Sequence, residues 1–338
     1  MKTIVLEEPG RFALHDTVAP QAPSAGEALV RVHRVGICGT DLHAFAGRQP
    51  FFSYPRILGH ELGVEILALD PASPTALVVG DRCCIQPYLH CGRCTACRRG
   101  ATNCCVRLQT LGVHTDGGMR ELITIPIHLL HRSASLSYEQ LAMVEMLCIG
   151  AHAVRRAAIA AGERALVIGV GPIGLGAAVF ARAAGAHVLV MDVSEQRLAF
   201  AAAQGFAEQI DGREDVPAQL QALCGDDPPT VVFDATGHAQ SMMRAFSYPA
   251  NAGRLVFVGL FQGDVTFNDP EFHRRELTVL ASRNATAADF RHVIASLEQG
   301  TVTINSWISR VATPEATIEQ FATWTTPAAG IIKAMIAL

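Results

Sequence analysis

Four cysteines lie close together between residues 91 and 105, and they constrain this part of the chain more than any other feature. They are Cys91, Cys94, Cys97 and Cys105. Two C-x2-C steps let one tight loop turn its sulfurs inward, and four thiolates close a tetrahedral zinc site. The N-terminus shows no signal peptide, so we expect a cytoplasmic location, where reducing conditions favour metal binding over disulfides. We therefore predict a structural zinc site here, with the adjacent Cys104 as an alternative fourth ligand.

Length and charge narrow the partners that this chain can have. The 338 residues favour two domains, and half of them are hydrophobic. The net charge of −4 gives no electrostatic case for nucleic acid, although arginines near the four cysteines keep a nucleic-acid-binding zinc ribbon as a remote alternative. The longest uncharged apolar stretch, 165–181, is too short and too rich in glycine to span a membrane. We expect a small-molecule partner, and neither nucleic acid nor membrane.

The sequence pattern changes near residue 149. Residues 1–148 read as short β segments with many turns, whereas residues 149–283 alternate strand and helix. Such alternation is typical of a doubly wound parallel sheet with helices on both faces. We predict an α/β chain with a Rossmann domain at 149–283 and a β-rich domain formed by 1–148 and 284–338.

A glycine-rich turn joins the first strand of the predicted Rossmann domain to its first helix. Its members are Gly169, Gly171, Pro172, Ile173 and Gly174. In this context a G-x-G-x-x-G turn lets a pyrophosphate approach the helix N-terminus. Asp192, at the end of the next strand, can hold ribose hydroxyls and repel a 2′-phosphate; Arg197 completes the predicted cofactor set. We predict NAD rather than NADP, with a core turn and a helix N-cap as the alternatives for the glycines and for Asp192.

A second group of metal-binding residue types lies outside the four-cysteine segment. Cys38 stands among glycines, and His60 and Glu61 follow after a proline-containing loop. Three protein ligands leave a fourth position open for chemistry, and with Zn²⁺ this thiolate, imidazole and carboxylate are formally neutral. Taken singly, Cys38 is also compatible with a small buried residue and His60 with an ordinary core histidine. The pattern indicates a catalytic zinc site.

The order of these motifs resembles that of the zinc-dependent medium-chain dehydrogenase/reductase family over essentially the whole chain. The resemblance rests on GICGTD at 36–41, GHELG at 59–63, GDR at 80–82, the four-cysteine segment and the G-x-G-x-x-G turn. The chain is most similar to the branch of sorbitol, threonine and sugar-acid dehydrogenases. This implies that the β-rich domain is a GroES-like catalytic domain and that the protein forms a homodimer or homotetramer.

The resemblance also implies roles for residues near the catalytic metal. Glu145 corresponds to a second glutamate at the zinc, although Met146 stands where most relatives have proline. Asp41 corresponds to the carboxylate that orients the metal-binding histidine. We therefore expect Glu61, Glu145 or water to complete the ligand shell.

The implied reaction is hydride transfer from a secondary alcohol to NAD⁺, with two zinc ions per subunit. By resemblance, Thr40 accepts the substrate proton, His43 passes it toward solvent, and Lys333 reaches the cofactor pyrophosphate. The implied substrate is a polyol, sugar acid or amino alcohol. A zinc dehydrogenase of simple alcohols or of the formaldehyde type is the alternative.

Overall fold

The structure, a computed structural model, describes residues 1–49, 52–324 and 330–338. These residues form two compact units, one made of 1–146 with 285–338 and the other of 147–284. The predicted domain boundaries lie close to this division. Within the described part of the chain, the helices lack the length and apolar character needed to cross a bilayer.

The strands and helices alternate irregularly in the first unit and regularly in the second. In chain order, the strands are β1 (Lys2–Glu8), β2 (Arg11–Asp16), β3 (Glu27–Gly36), β4 (Glu61–Leu69), β5 (Arg82–Ile85), β6 (Tyr88–Leu89), β7 (Gln109–Thr110), β8 (Leu122–Pro126), β9 (Leu130–Arg132), β10 (Arg164–Ile168), β11 (His187–Asp192), β12 (Gln209–Asp211), β13 (Val231–Asp234), β14 (Arg254–Phe257), β15 (Thr278–Ala281), β16 (Ile308–Ala312) and β17 (Lys333–Ala337). The helices are α1 (Gly39–Phe45), α2 (Thr95–Arg98), α3 (Tyr138–Ala157), α4 (Pro172–Ala183), α5 (Glu195–Ala203), α6 (Val216–Cys224), α7 (Ala239–Arg244), α8 (Asp269–Arg274), α9 (Ala287–Glu298) and α10 (Pro314–Trp324).

The first unit is built around a seven-stranded sheet in the order β16-β17-β3-β4-β5-β9, with β8 also paired to β3. Strands β16 and β17 are parallel, and β3 is antiparallel to β4, β8 and β17. In β3 the buried residues Val30 and Val32 alternate with the exposed Arg31, so one face of the strand packs into the core. The β3–β4 register pairs Gly36 with Glu61, which brings the residues after β3 beside those that begin β4.

The second unit contains a six-stranded parallel sheet in the order β12-β11-β10-β13-β14-β15. Its central strands are continuous apolar runs that are completely buried, as at Leu166 and Val232, because helices cover both faces of a parallel sheet. The predicted doubly wound α/β fold is confirmed. The strand order reverses between β10 and β13, and ligands of such sheets bind outside the carboxyl ends of the strands at this point.

The glycine-rich turn between β10 and α4 has the geometry that its sequence predicts. Gly169 has a φ of 83°, in the left-handed region that favours glycine. A Cβ atom at Gly174 would collide with the carbonyl oxygen of Gly169. Helix α4 begins with Pro172, whose fixed φ suits the first helical position. The helix N-terminus is therefore held directly against the end of β10.

Candidate functional site

The four-cysteine segment forms a compact cluster. The sulfur atoms of Cys91, Cys94, Cys97 and Cys105 all lie within 4.8 Å of one another. Main-chain N–H groups of Cys97 and Val106 donate to the Cys94 sulfur and lower the pKa of its thiol to about 6, which favours the thiolate that metals bind. Cys104 is exposed and lies outside the cluster, which favours Cys105 as the fourth ligand. All ten cysteines of the chain are described, and none is in a disulfide.

The predicted catalytic ligands come together in the first unit. One ligand atom from each of Cys38, His60 and Glu61 lies within 4.8 Å of the others. Cys38 is the N-cap of α1, and its main-chain N–H donates to Asp41 Oδ2 at 2.8 Å. His60 and Glu61 stand at the start of β4 and are both buried. Two segments of backbone, the one after β3 and the one that begins β4, thus converge on one point.

A glycine makes room for one of these ligands. Gly36 is paired with Glu61 across the β3–β4 ladder, and a Cβ atom at Gly36 would collide with Glu61 Oε2. The close approach fixes the Glu61 carboxylate beside the end of β3. Gly36 belongs to the GICGTD motif. Only the pairing register shows that its lack of a side chain leaves space for the Glu61 carboxylate.

The contact between His60 of the cluster and the nearby Asp41 fits the presence of a metal ion. Asp41 Oδ1 and His60 Nδ1 are buried, lie 4.0 Å apart, and have no hydrogen-bond partner among the described residues. A histidine that binds a metal through Nε2 donates its Nδ1–H to such a carboxylate, which fixes the tautomer. Thiolate, imidazole and carboxylate together match the ligand set that Zn²⁺ accepts. The donor set and the two unpartnered atoms therefore suit a zinc ion.

Lys333 lies beside the predicted catalytic ligands. Its Nζ is buried and donates to Glu61 Oε1 at 2.7 Å, to Glu61 Oε2, and to the carbonyl oxygen of Ile37 at 2.9 Å. The ammonium group is therefore engaged by Glu61 inside the first unit, and its contact with a cofactor phosphate stays a prediction. The physical reason for the contact with Glu61 is the register of β17, which pairs with the end of β3 and brings Lys333 to the Glu61 side of the sheet. An unpaired Glu61 carboxylate would be costly to bury.

Buried charges perturb one another strongly in this cluster. Burial lowers the pKa of His60, but the Cys38 thiolate and the Asp41 carboxylate outweigh it and raise that pKa well above its ordinary value. Burial is also the main cause of the raised pKa of Asp41 and of Glu145. Such an excess of acidic groups in a small volume attracts a cation, and perturbed groups of this kind concentrate at functional sites.

Glu145 lies next to the cluster and has a partner that the sequence did not reveal. It is buried on α3, and the hydroxyl of the buried Tyr88 donates to its Oε1. Helix α3 runs without interruption through Met146. Glu145 is not one of the three residues whose ligand atoms lie within 4.8 Å of one another. Tyr88 stands three positions before Cys91, but no sequence signal connects it to Glu145.

The predicted proton carriers follow Cys38 on the same short helix. Thr40 is half-buried in the first turn of α1, and His43 is exposed in its last turn. The exposure of His43 is compatible with its predicted role, which stays a prediction.

The predicted cofactor residues line one cavity of about 520 Å³ in the second unit. They are Gly169, Gly171, Pro172, Ile173, Gly174, Asp192 and Arg197. Thr236, which follows β13, also lines this cavity, beside Gly169. The cavity therefore lies at the switch point of the parallel sheet, where a dinucleotide is expected.

Asp192, which is predicted to bind the cofactor ribose, also accepts hydrogen bonds from the main chain. Its Oδ2 accepts from the N–H of Val170 at 2.8 Å, and its Oδ1 accepts from the N–H of Ser194 at 2.9 Å. The side chain that caps α5 is Ser194, so the helix N-cap alternative for Asp192 is wrong. Asp192 instead ties the glycine-rich turn to the end of β11.

The Arg197 side chain reaches from α5 to the residues of the glycine-rich turn and to Asp192. Its guanidinium is half-exposed and lies 3.9 Å from Asp192 Oδ2, and a Cβ atom at Gly171 would be 3.4 Å from it. A cation therefore lies beside both the carboxylate and the second glycine, where it can meet cofactor phosphate.

Comparisons with known proteins match both units. The family model for the alcohol dehydrogenase GroES-like domain matches residues 24–135, and the model for zinc-binding dehydrogenases matches residues 172–299. An L-galactonate-5-dehydrogenase from Escherichia coli (strain K12) is 42% identical to this chain, and the match covers 91% of each protein. A sorbitol dehydrogenase from Bacillus subtilis (strain 168) is 32% identical, and the match covers 82% of this chain and 81% of that protein.

A solved structure supports the same assignment of the fold. The crystal structure of an alcohol dehydrogenase from Escherichia coli CFT073, complexed with NADH, superimposes with a TM-score of 0.93. The match covers 100% of this chain and 99% of that one at 27% sequence identity. The GroES-like and Rossmann architectures predicted for the two units are confirmed.

Proposed function

The chain belongs to the zinc-binding dehydrogenases of the medium-chain dehydrogenase/reductase family, and on that basis we propose that it transfers a hydride from a secondary hydroxyl of a polyol or sugar acid to NAD⁺. The observation that carries the proposal is the buried cluster of Cys38, His60 and Glu61. Three ligands of this kind leave an open position for a substrate oxygen, whereas the four cysteines close theirs. We assign chemistry to the first cluster and stability to the second, with one zinc ion in each.

Each side chain around the open cluster has its own role in the proposed reaction. A zinc ion held by Cys38, His60 and Glu61 would supply a Lewis acid that lowers the pKa of the substrate hydroxyl. With the metal in place, Asp41 Oδ1, which lies 4.0 Å from His60 Nδ1, would accept from that nitrogen and fix the tautomer of the histidine. Thr40 accepts the hydroxyl proton, and His43 passes it to solvent from the exposed end of α1. Glu145 stands next to the cluster as a second carboxylate.

The second unit holds the cofactor. Gly171 and Gly174 allow the pyrophosphate to approach the N-terminus of α4, and NAD⁺ supplies the hydride acceptor. The Asp192 carboxylate repels a 2′-phosphate, which supports NAD over NADP, while the nearby Arg197 reduces that repulsion. Asp192→Asn removes the charge and keeps one acceptor oxygen. We expect it to narrow the ratio of kcat/KM for NAD⁺ over NADP⁺ by about tenfold, an effect of ~1.4 kcal/mol. An unchanged ratio would assign the selectivity to other residues.

The substrate class is supported by the relatives. L-Galactonate and sorbitol both offer secondary hydroxyl groups, and the names of two relatives specify them as substrates. The test is a screen of polyols, aldonates, amino alcohols and simple primary alcohols, followed by NADH absorbance with metal-loaded and chelator-treated protein. We expect metal-dependent oxidation of a polyol or aldonate. Preference for a simple primary alcohol would favour the alternative, and full activity without metal would refute the zinc mechanism.

We further propose that the protein is a homodimer, or a tetramer built from such dimers, that pairs through β15. This strand ends the parallel sheet, and Val279 on it is 37% exposed. Nearby on the chain, Leu260 is 79% exposed. An uncovered apolar sheet edge is a template for pairing with a second copy. Light scattering after size-exclusion chromatography should give a dimer or tetramer, and Val279→Lys should shift it toward monomer. A monomeric wild-type protein would refute this assignment.

We also propose a reducing, cytoplasmic location, which the four thiols clustered at Cys91, Cys94, Cys97 and Cys105 support, because they are free of disulfides.

A further inference from the structure

The hydroxyl of Tyr88 is a hydrogen-bond donor to a carboxylate next to the catalytic cluster. The Tyr88 residue is 2% exposed, and its O–H donates to Oε1 of Glu145, which is 5% exposed. A hydrogen bond to an ionised acceptor is roughly twice as strong as a neutral one, and its loss is felt more when water cannot replace the donor. The contact therefore fixes the orientation of the Glu145 carboxylate.

Glu145 carries its buried carboxylate on helix α3, which is continuous across Glu145 and Met146. The helix backbone places the Cα atom of Glu145, and the hydrogen bond from Tyr88 sets the direction of the carboxylate group. The other glutamate of this region, Glu61, is held by the buried ammonium of Lys333. The two carboxylates are thus restrained by different donors, one cationic and one neutral.

Tyr88 is itself held firmly on several sides. Strand β6 pairs Tyr88 with Thr110 of β7, and the N–H of Leu111 donates to the carbonyl oxygen of Pro87 at 3.0 Å. The ring meets the edge of Phe290, with centroids 6.3 Å apart and an interplanar angle of 74°. A donor fixed by a strand pair and a ring contact can place its acceptor with little freedom.

The same strand pair closes the four-cysteine segment. Cys91 follows β6, and Cys105 precedes β7, so the cysteine cluster is the loop that joins the two strands. A metal bound by the four thiolates would brace β6 and β7 and, with them, Tyr88. The contact to Glu145 therefore lies between the closed cluster and the open one.

We propose that Tyr88 is a positioning residue that orients Glu145 at the catalytic cluster and thereby sets how firmly this cluster retains its metal ion. The inference rests on the proposed function of that cluster as a metal site. Residues that orient metal ligands typically change metal affinity or activity by about 10- to 100-fold when they are removed.

The experiment compares metal release from wild-type and Tyr88→Phe protein loaded with zinc. The substitution removes one hydroxyl and keeps the ring against Phe290. We expect the catalytic zinc to pass to a chelator about tenfold faster or more, while the four-cysteine zinc leaves at the wild-type rate. With Co²⁺ in the catalytic cluster, the visible absorption bands should also shift, because they report ligand geometry. Unchanged release and unchanged bands would overturn the proposal.

Two further variants separate positioning from general damage. Tyr138→Phe removes the same atom from a tyrosine at the start of α3, and it should leave metal release unchanged. In a Glu145→Met background, Tyr88→Phe should add little to the release rate, because Glu145→Met already removes the acceptor of the Tyr88 hydroxyl. Equal acceleration by Tyr138→Phe, or additive effects with Glu145→Met, would overturn the role of Tyr88.

The readouts distinguish this inference from the proposed function. Metal release and cobalt absorption need no substrate. A Tyr88→Phe effect in a protein that oxidises none of the screened alcohols would support the inference and refute the proposed reaction. A wild type that oxidises an aldonate, together with a Tyr88→Phe variant whose metal release is normal, would refute the inference alone.

Discussion

The two metal-binding clusters of the first unit are built on opposite principles. The four-cysteine cluster draws identical ligands from one continuous segment, and its neighbouring elements are a short helix and a two-stranded ladder. The Cys38 cluster draws three different ligands from the ends of β3 and β4, and it is surrounded by buried Asp41, Glu145 and Lys333. A closed, uniform set suits a metal that stabilises the fold, whereas an open, mixed set leaves room for substrate.

The largest expected effect comes from removing the open cluster. Cys38→Ser should lower kcat by more than about 10³-fold, because Lewis-acid assistance is worth several kcal/mol. NADH binding should persist, since the cofactor cavity is lined by residues of the second unit. Turnover and NADH fluorescence titration measure the two properties separately. Cys104→Ser, at an exposed thiol, is the matched control; substantial turnover by Cys38→Ser would show that the cluster is not catalytic.

Damage to the four-cysteine cluster should lower the thermal stability of the protein before it lowers the reaction rate. Cys94→Ser breaks a site whose metal contributes folding free energy, and we expect a loss of about 5 kcal/mol and a fall in Tm of more than about 10 °C. Cys104→Ser should leave Tm unchanged, because that thiol lies outside the cluster. Thermal denaturation of the zinc-loaded variants is the measurement. Equal Tm values for Cys94→Ser and Cys104→Ser would contradict two assignments: the choice of Cys105 over Cys104 as the fourth ligand, and the structural role of the four-cysteine cluster.

A smaller effect on thermal stability is expected from substituting Lys333, and its size should differ between metal-free and metal-loaded protein. Lys333→Met leaves the buried Glu61 without its cation, which costs about 3–5 kcal/mol in the metal-free protein, or roughly 10 °C in Tm. Zinc on Glu61 should offset part of this loss, so the fall in Tm is smaller after metal loading. Lys2→Met is the control, because its ion pair with Glu315 is exposed and should matter little. Equal destabilisation with and without zinc would argue that Glu61 is not a metal ligand.

Short-range patterns predicted much of this molecule. The spacing of the four cysteines placed their sulfurs in one cluster, because a tight loop leaves few alternatives. The G-x-G-x-x-G motif predicted the tight turn from strand to helix at which Gly169 has a positive φ and a Cβ at Gly174 would collide. Alternating strands and helices predicted the parallel sheet. In each case the constraint acts over a few residues, within which the backbone has limited freedom.

Contacts between distant residues were beyond the reach of the sequence. The contact between Lys333 and Glu61 was not predicted, because the register of β17 on β3 decides which group the ammonium meets. Tyr88 and Glu145 are brought together by the packing of β6 against α3, and no spacing in the chain encodes that contact. The sequence determined which chemical groups the chain possesses and how each local turn is shaped. Only the tertiary structure decided which buried charge is neutralised by which donor, because pairing in a low-dielectric interior depends on distances that strand register and helix packing set.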